Sequence, residues 1–169
     1  MARLVLTVVG DDRAGLVSAL AQRVSDAGGN WEQSELAELA GAFAGIVLVT
    51  VSDARVEVLI QSLQTLEGLL KVSVHGGGVT EPAASSHTLV FTVLGNDRPG
   101  IVRDVTTAIA AHSLSIDAFR SRTLEAPMAG GTLFEATVEV SVPAEADAAV
   151  ITRALEELAG EIQVDLSVA

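Results

Sequence analysis

The chain contains one short motif twice, and this duplication limits its fold more than any other feature. The first copy is Gly10–Val17 and the second is Gly95–Val102, and each follows an apolar, β-rich run. Aligning residues 7–17 with residues 92–102 gives seven identities. A repeat at one fixed offset is typical of a duplicated structural unit. We therefore expect two domains of the same fold in tandem.

Each copy has the features of a turn from a strand into a helix. In the second copy, Gly95 ends the strand and can adopt a backbone conformation that a residue with a Cβ resists. Asp97 is predicted to cap the helix, and Pro99 to occupy its first turn. Gly100 leaves the backbone open to close approach. A capped helix start explains one such motif, but two copies favour a site where a carboxylate binds the free helix N–H groups.

Periodicity predicts the order β-α-β-β-α-β twice, which is the ferredoxin-like arrangement of a four-stranded antiparallel sheet with two helices on one face. The class is α+β. In the first unit we predict strands at 3–9, 30–39, 46–52 and 69–75, and helices at 15–27 and 54–67. In the second unit we predict strands at 88–94, 114–123, 132–142 and 162–168, and helices at 100–112 and 145–159.

Turn residues set the predicted boundaries. We expect a first domain at 1–76, a linker at 77–86 and a second domain at 87–169, because the linker is rich in glycine and small residues. Within the first domain, Gly41 and Gly45 are predicted to bracket the turn between the two middle strands. Asp53 is predicted to be the N-cap of the second helix.

Charge and composition exclude several classes of function. The 169 residues include 22 acidic and 10 basic side chains, a formal charge of −12, and no cysteine. Both halves are acidic and neither has a basic cluster, so we expect no direct contact with nucleic acid or with an anionic membrane. Without cysteine, thiolate catalysis and cysteine-based zinc sites are ruled out. We expect a cytoplasmic protein, because no signal peptide or long apolar run is present. We also expect no cofactor, and no metal site because no two histidines are spaced as metal ligands.

The sequence Asp97-Arg98-Pro99-Gly100-Ile101-Val102 after a strand, followed by a helix, resembles an ACT domain, a small ligand-binding regulatory module. Gly15 and Gly100 match the glycine typical of the ACT strand-to-helix loop. Two copies with nothing else attached resemble the glycine cleavage system transcriptional repressor group. The stretch 131–134 and the pair Val142-Pro143 also resemble the second unit of that group.

The resemblance implies an amino-acid site between two units, formed by the loop of one unit and the start of the second strand of the other. Matched residue by residue, an asparagine typical of the family falls on Asn30 in the first unit and is replaced by Ser115 in the second. We therefore favour the site that joins Asn30 to the second loop. Trp31 lies beside Asn30, where it either lines the site or packs in the core. The implied loop residues are Asp12, Arg13, Ala14, Gly15, Asp97, Arg98, Pro99 and Gly100.

The two loop arginines have two interpretations at this stage. Arg13 and Arg98 either hold a ligand carboxylate bidentately, or pair with Asp12 and Asp97 or lie in solvent. We found no residues at catalytic or metal-ligand spacing, so an enzyme is disfavoured. The first hypothesis is an amino-acid sensor, possibly glycine-responsive, that acts through a protein partner, with a homodimer left open. The alternative is a protein–protein interaction module that binds no ligand.

Overall fold

The chain folds into two four-stranded sheets in a computed structural model. The structure describes residues 1–78, 86–126, 130–143, 149–150, 153 and 162–168. The chain divides into the units Met1–Thr80 and Glu81–Ala169. Of the predicted linker 77–86, residues 79–85 lie outside the described part. Gly77 donates its N–H to the carbonyl of Arg3, 2.8 Å away, so it continues the edge of the first sheet.

The first unit has the predicted order of elements. The elements are β1 (Ala2–Asp11), α1 (Leu16–Asp26), β2 (Asn30–Leu39), β3 (Ala42–Val51), a 3-10 turn (Asp53–Arg55), α2 (Val56–Gln64) and β4 (Lys71–Gly76). The strand order is β2-β3-β1-β4, and every neighbouring pair is antiparallel.

The second unit repeats this order. Its elements are β5 (Ser86–Asn96), α3 (Ile101–Ala111), β6 (Ser115–Glu125), β7 (Thr132–Pro143) and β8 (Ile162–Val168), and its strand order is β6-β7-β5-β8. Of the predicted helix 145–159, only residues 149, 150 and 153 are described, and they are helical. Two antiparallel sheets with this doubled order confirm the ferredoxin-like fold.

The core of each unit follows the two periodicities of its sequence. Alternate residues of the central strand point to the helices, and α1 contributes residues at spacings of four. In the first unit the buried side chains of these two elements are Leu4, Leu6, Val8, Leu16, Leu20 and Val24. In the second unit the matching side chains are Leu89, Phe91, Val93, Ile101, Val105 and Ile109. Burial of these side chains fixes which face of each strand packs against the helix.

Two predicted turn features of the first unit are wrong. Gly45 lies inside β3, where it pairs with Leu36 on one side and Val8 on the other. The turn is formed by Ala40 and Gly41 alone, both with positive φ. Asp53 does not cap a helix through its side chain; its carboxylate accepts a hydrogen bond from the amino group of Met1 at 2.8 Å.

Candidate functional site

Both strand-to-helix loops end in a glycine with a left-handed backbone. Gly15 has φ 91° and Gly100 has φ 88°, and each is the N-cap residue of its helix. Neither helix start has a side-chain cap. The first intrahelical bonds are donated by the N–H groups of Ala19 and Asp104 to the carbonyls of these glycines. The amides of the first helical turn, and the positive end of the helix dipole, are thus left without a capping side chain.

The predicted cap at Asp97 is therefore wrong, and both loop aspartates donate hydrogen bonds through their main chain instead. The N–H of Asp12 donates to the carbonyl of Gly41 at 2.8 Å, and the N–H of Asp97 donates to the carbonyl of Thr132 at 2.8 Å. Gly41 is the turn residue just before β3, and Thr132 is the first residue of β7. Each of these hydrogen bonds holds one loop against its own sheet.

The predicted roles of the strand glycine and of proline also need correction. β5 continues through Gly95 to Asn96, so the left-handed turn comes five residues later than predicted, at Gly100. The matching Gly10 is required for space, because an added Cβ would lie 2.6 Å from the carbonyl oxygen of Leu69. Pro99 lies before the helix, which begins at Ile101.

In the second loop, Arg98 is held by a carboxylate from its own helix. Its Nη1 donates to Oδ2 of Asp104 at 2.8 Å, while Nε and Nη2 of Arg103 donate to Oδ1 at 3.1 and 3.0 Å. The hydrogen bond from Arg98, and then that from Arg103, hold the pKa of Asp104 below its ordinary value. Arg103 also covers the glycine, since an added Cβ on Gly100 would lie 3.1 Å from its Nη2.

The first loop lacks an ion pair equivalent to that between Arg98 and Asp104. Arg13 comes no closer than 3.9 Å to Asp11, and half of its side chain is exposed. Ala19 stands where the second domain has Asp104. An added Cβ on Gly15 would meet nothing within 4 Å. The ion pairs of both loop arginines therefore differ from the predicted pairing with Asp12 and Asp97.

Asn30 and Ser115 lie at the opposite end of their own sheets from these loops. Asn30 pairs with Thr50, which pairs with Arg3, whereas the loop follows Asp11. Eight residues of strand separate the two levels, which is about 26 Å. In the second sheet, Ser115 pairs with Ser141, and Ser141 with Thr88, again eight residues before Asn96. One small molecule cannot touch both the loop and the strand start of the same domain.

Trp31 is half-buried and packs against the core of the first domain, opposite Val49. Core packing, one of its two interpretations, is thus observed. Asn30 and Ser115 are exposed, as are Asp12, Arg13, Ala14 and Gly15 in the first loop and Asp97, Arg98 and Pro99 in the second.

Sequence reasoning missed two acidic residues at the start of the second strands. β2 has a bulge between Trp31 and Gln33, and β6 has one between Ile116 and Ala118. The bulged residues are Glu32 and Asp117. Glu32 accepts a hydrogen bond from the Thr50 hydroxyl at 2.8 Å, and Asp117 accepts one from the Ser141 hydroxyl at 2.6 Å. A broken apolar period near Trp31 was the only available signal.

A groove of about 340 Å³ lies on the open face of the first sheet, lined by residues that include Arg3, Val5, Ile46 and Leu48. None of the predicted site residues lines it. Among the described residues, no three His, Asp or Glu side chains are grouped to hold a metal ion. No helix in that part of the chain has the length and apolar character needed to cross a membrane.

Family models and curated relatives match nearly the whole chain. ACT-domain family models match residues 2–75 and 88–160. The glycine cleavage system transcriptional repressors of Escherichia coli (strain K12) and Shigella flexneri are each 31% identical over 98% of this chain and 88% of theirs.

Two solved structures also match over nearly the whole chain. A crystal structure of an unknown protein from Galdieria sulphuraria is 28% identical, covers 99% of this chain and 98% of its own, and has a TM-score of 0.86. A crystal structure described as a candidate glycine cleavage system transcriptional repressor is 19% identical, covers 99% and 97%, and has a TM-score of 0.74. The second likeness supports the fold.

Proposed function

The chain belongs to the ACT-domain family as a tandem pair of domains, and from this premise we propose that it is a regulatory protein that senses an amino acid, with glycine as the first candidate. The observation that carries the proposal is the 31% identity, over 98% of the chain, to a glycine cleavage system transcriptional repressor. The doubled loop, whose helix start has no side-chain cap, supports it, because amides at a helix start favour a carboxylate.

The distance between its proposed parts supports a site shared by two domains. The loop and the strand start of one domain are about 26 Å apart along the sheet. A ligand that uses both must therefore take the loop from one domain and the strand start from another, in the same chain or in a second copy. We favour the loop Asp97–Gly100 together with Asn30 and Trp31; the second combination uses Asp12–Gly15 with Ser115.

A ligand held between two domains acts by selecting one arrangement of them. It shifts the equilibrium only by the difference between its affinities for the two arrangements. The output is proposed to pass to a protein partner in the cytoplasm, since the −12 charge disfavours direct binding to nucleic acid or to an anionic membrane. We assign the chain no catalysis, in keeping with relatives that are named as repressors.

The test is a binding experiment with the twenty standard amino acids. Trp31 is the single tryptophan and lies next to Asn30, so its fluorescence should change when the ligand binds. The melting temperature should rise, because a ligand at a hundredfold excess over its Kd adds about 2.7 kcal/mol to the free energy of unfolding. If no amino acid changes either the Trp31 fluorescence or the melting temperature, the sensor is refuted.

The alternative is an interaction module without a ligand. β2 and β4 are the edges of the first sheet, and β6 and β8 are the edges of the second. Exposed edge strands present unpaired N–H and carbonyl groups to other chains. In this case the mass measured by sedimentation depends on protein concentration or on a partner and is unchanged by amino acids, whereas a sensor changes its mass or shape when the ligand is added.

A further inference from the structure

The open face of the first sheet, which is the face turned away from its helices, is mostly apolar. Side chains that alternate with the buried ones point to this face. On the two central strands they are Val5, Thr7, Val9, Ala44, Ile46 and Leu48. Val9, Ile46 and Leu39 of β2 expose 47%, 51% and 80% of their surface. A cluster of exposed apolar side chains on one face is typical of a surface that binds another protein.

The open face of the second sheet carries ion pairs at the matching positions. Arg120 pairs with Glu139 at 2.8 Å, and Arg122 pairs with Glu135 at 2.7 Å. Glu139 stands where the first sheet has Leu48, because each lies opposite the matching residue of its central strand. On the described part of this face, every large apolar side chain is at least half-buried. Only the first sheet therefore has an open face that would be stabilised by an apolar cover.

The two sides of this first open face have opposite charge. On the β2 side, Glu32 accepts a hydrogen bond from the Thr50 hydroxyl at 2.8 Å, and Glu35 follows along the strand. On the other side are Arg3 of β1, which pairs with Thr50, and Lys71 of β4. Among the described residues, neither Arg3 nor Lys71 forms an ion pair. The face is thus an apolar centre between an acidic side and a basic side.

Such a face is complementary to itself. A two-fold axis parallel to the strands lays β1 of one copy over β3 of a second copy, and β4 over β2. Arg3 of each copy then lies over Thr50 of the other copy, next to Glu32, because Arg3 and Thr50 are in the same row of the sheet. The symmetry makes this contact twice. The apolar rows of Leu48 and Ile46 meet in the centre.

We propose that the open face of the first sheet binds the same face of a second copy of the chain, which gives a symmetric homodimer. Four strands about 4.8 Å apart, and eight residues of about 3.3 Å each from Arg3 to Asp11, give a face of about 500 Å². Two copies bury about 1,000 Å², the lower limit for a specific interface, so the Kd is expected in the micromolar range. This dimer does not depend on the proposed sensing of an amino acid.

Sedimentation equilibrium of the full-length chain, without any amino acid, tests the dimer. From about 1 μM to about 1 mM, the mass should rise from that of one chain to that of two. Ile46→Lys puts a charge in the apolar centre and should weaken dimerisation at least about tenfold. The lysine lies across from Glu35, so the sheet itself tolerates it. Thr137→Lys makes the same change of charge at the matching position of the second sheet and should leave the Kd unchanged.

A charge exchange tests the predicted orientation of the two copies. Arg3→Glu should weaken dimerisation by about tenfold, because the variant places like charges together at two symmetric contacts. Adding Glu32→Lys to Arg3→Glu restores opposite charges across the interface and should recover most of the affinity. A variant that only damaged the first domain would not be rescued in this way. Melting curves followed by Trp31 fluorescence check that each variant is folded.

Three results would overturn the proposal. The first is a monomer at every concentration, which leaves the open face to another protein or, if Ile46→Lys also lowers the melting temperature, to another part of the same chain. The second is a dimer whose Kd does not change in Ile46→Lys. The third is a dimer weakened equally by Thr137→Lys. Because no amino acid is present, none of these results decides whether the chain is a sensor.

Discussion

The two strand-to-helix loops have nearly the same backbone and different side-chain neighbours. Gly15 and Gly100 differ by 3° in φ, from 91° to 88°. Yet Arg98 is fixed on Asp104 at 2.8 Å, whereas Arg13 lies 3.9 Å from the exposed Asp11. The duplication has kept the backbone of the loop and changed the charged groups around it.

This difference gives each loop its own electrostatic character. In the second loop a ligand carboxylate would compete with Asp104 for Arg98, and the side chain of Arg103 lies over Gly100. In the first loop, an added Cβ on Gly15 would have no described atom within 4 Å, and the carboxylate of Asp11 lies 3.9 Å from Arg13, too far for a hydrogen bond. Equal residues in the motif therefore do not imply equal sites.

The largest effect on stability is expected at a position where the sheets themselves differ. Gly45 in β3 corresponds to Ala136 in β7, since they pair with Val8 and Val93 respectively. An added Cβ on Gly45 would collide with the carbonyl oxygen of Glu35. Gly45→Ala should cost about 3 kcal/mol in the free energy of unfolding of the first domain.

Trp31 fluorescence measures this loss, because the only tryptophan belongs to the first core. Ala136→Gly is the reciprocal control: it should cost about 1 kcal/mol and leave the Trp31 transition where it was. A Gly45→Ala protein as stable as the unchanged one would show that β2 and β3 can separate locally at no cost.

The second effect is expected to be equal in the two domains. Gly15→Ala and Gly100→Ala each place a Cβ on a left-handed backbone, which costs about 1–2 kcal/mol. The additional contact at Gly100 is with the end of a flexible arginine, so Arg103 can move aside. Residue-resolved hydrogen exchange measures each domain separately. A clearly larger loss for Gly100→Ala would mean that Arg103 is rigidly held.

A smaller gain in stability is expected at the turn after the first helix of the second domain. Gly28 has φ 71°, and the matching Ser113 has φ 57°, a conformation unfavourable for a residue with a Cβ. Ser113→Gly should stabilise the second domain by about 0.5–1 kcal/mol. Gly28→Ser should destabilise the first domain by a similar amount. Thermal melts followed by circular dichroism test both, and a loss of stability in Ser113→Gly would contradict the prediction.

The sequence predicted the elements because their signals are local. Alternation along Leu4, Leu6 and Val8 and the spacing of Leu16, Leu20 and Val24 each reflect a face turned to the core. The repeated motif then predicted two domains of the same fold and indicated their family. The extent and boundaries of the linker remain a prediction, as does the use of Asn30 and of both loops by a ligand.

The features that sequence reasoning missed depend on contacts between elements. Gly45 was predicted to be a turn residue because the sequence does not show that it faces the carbonyl of Glu35 on the neighbouring strand. The bulges at Glu32 and Asp117 are defined by register, which the strand pattern alone does not contain. Asp97 was assigned a capping role that Gly100 makes unnecessary, because the glycine itself turns the chain into the helix.

The most direct test of the two loops is a change of charge at the matching positions 19 and 104, and Asp104→Asn is expected to have the smallest effect on stability. Asp104→Asn removes the negative charge from Arg98, and Ala19→Asp introduces one beside Arg13. The pKa of Asp104 is lowered in the folded protein, chiefly by Arg98. Its contribution to stability is therefore present above the unfolded pKa, about 3.9, and is lost as pH falls through the lower folded value.

The melting temperature of the unchanged protein should thus exceed that of Asp104→Asn at pH 7, and the difference should shrink below about pH 4. At neutral pH, Asp104→Asn should bind glycine more tightly at the second loop, because Arg98 is released to the ligand carboxylate, and Ala19→Asp should weaken binding at the first. An offset in melting temperature that stays constant from pH 7 to pH 3 would show that Asp104 acts by packing. Unchanged glycine affinity in both variants would show that neither arginine reaches the ligand.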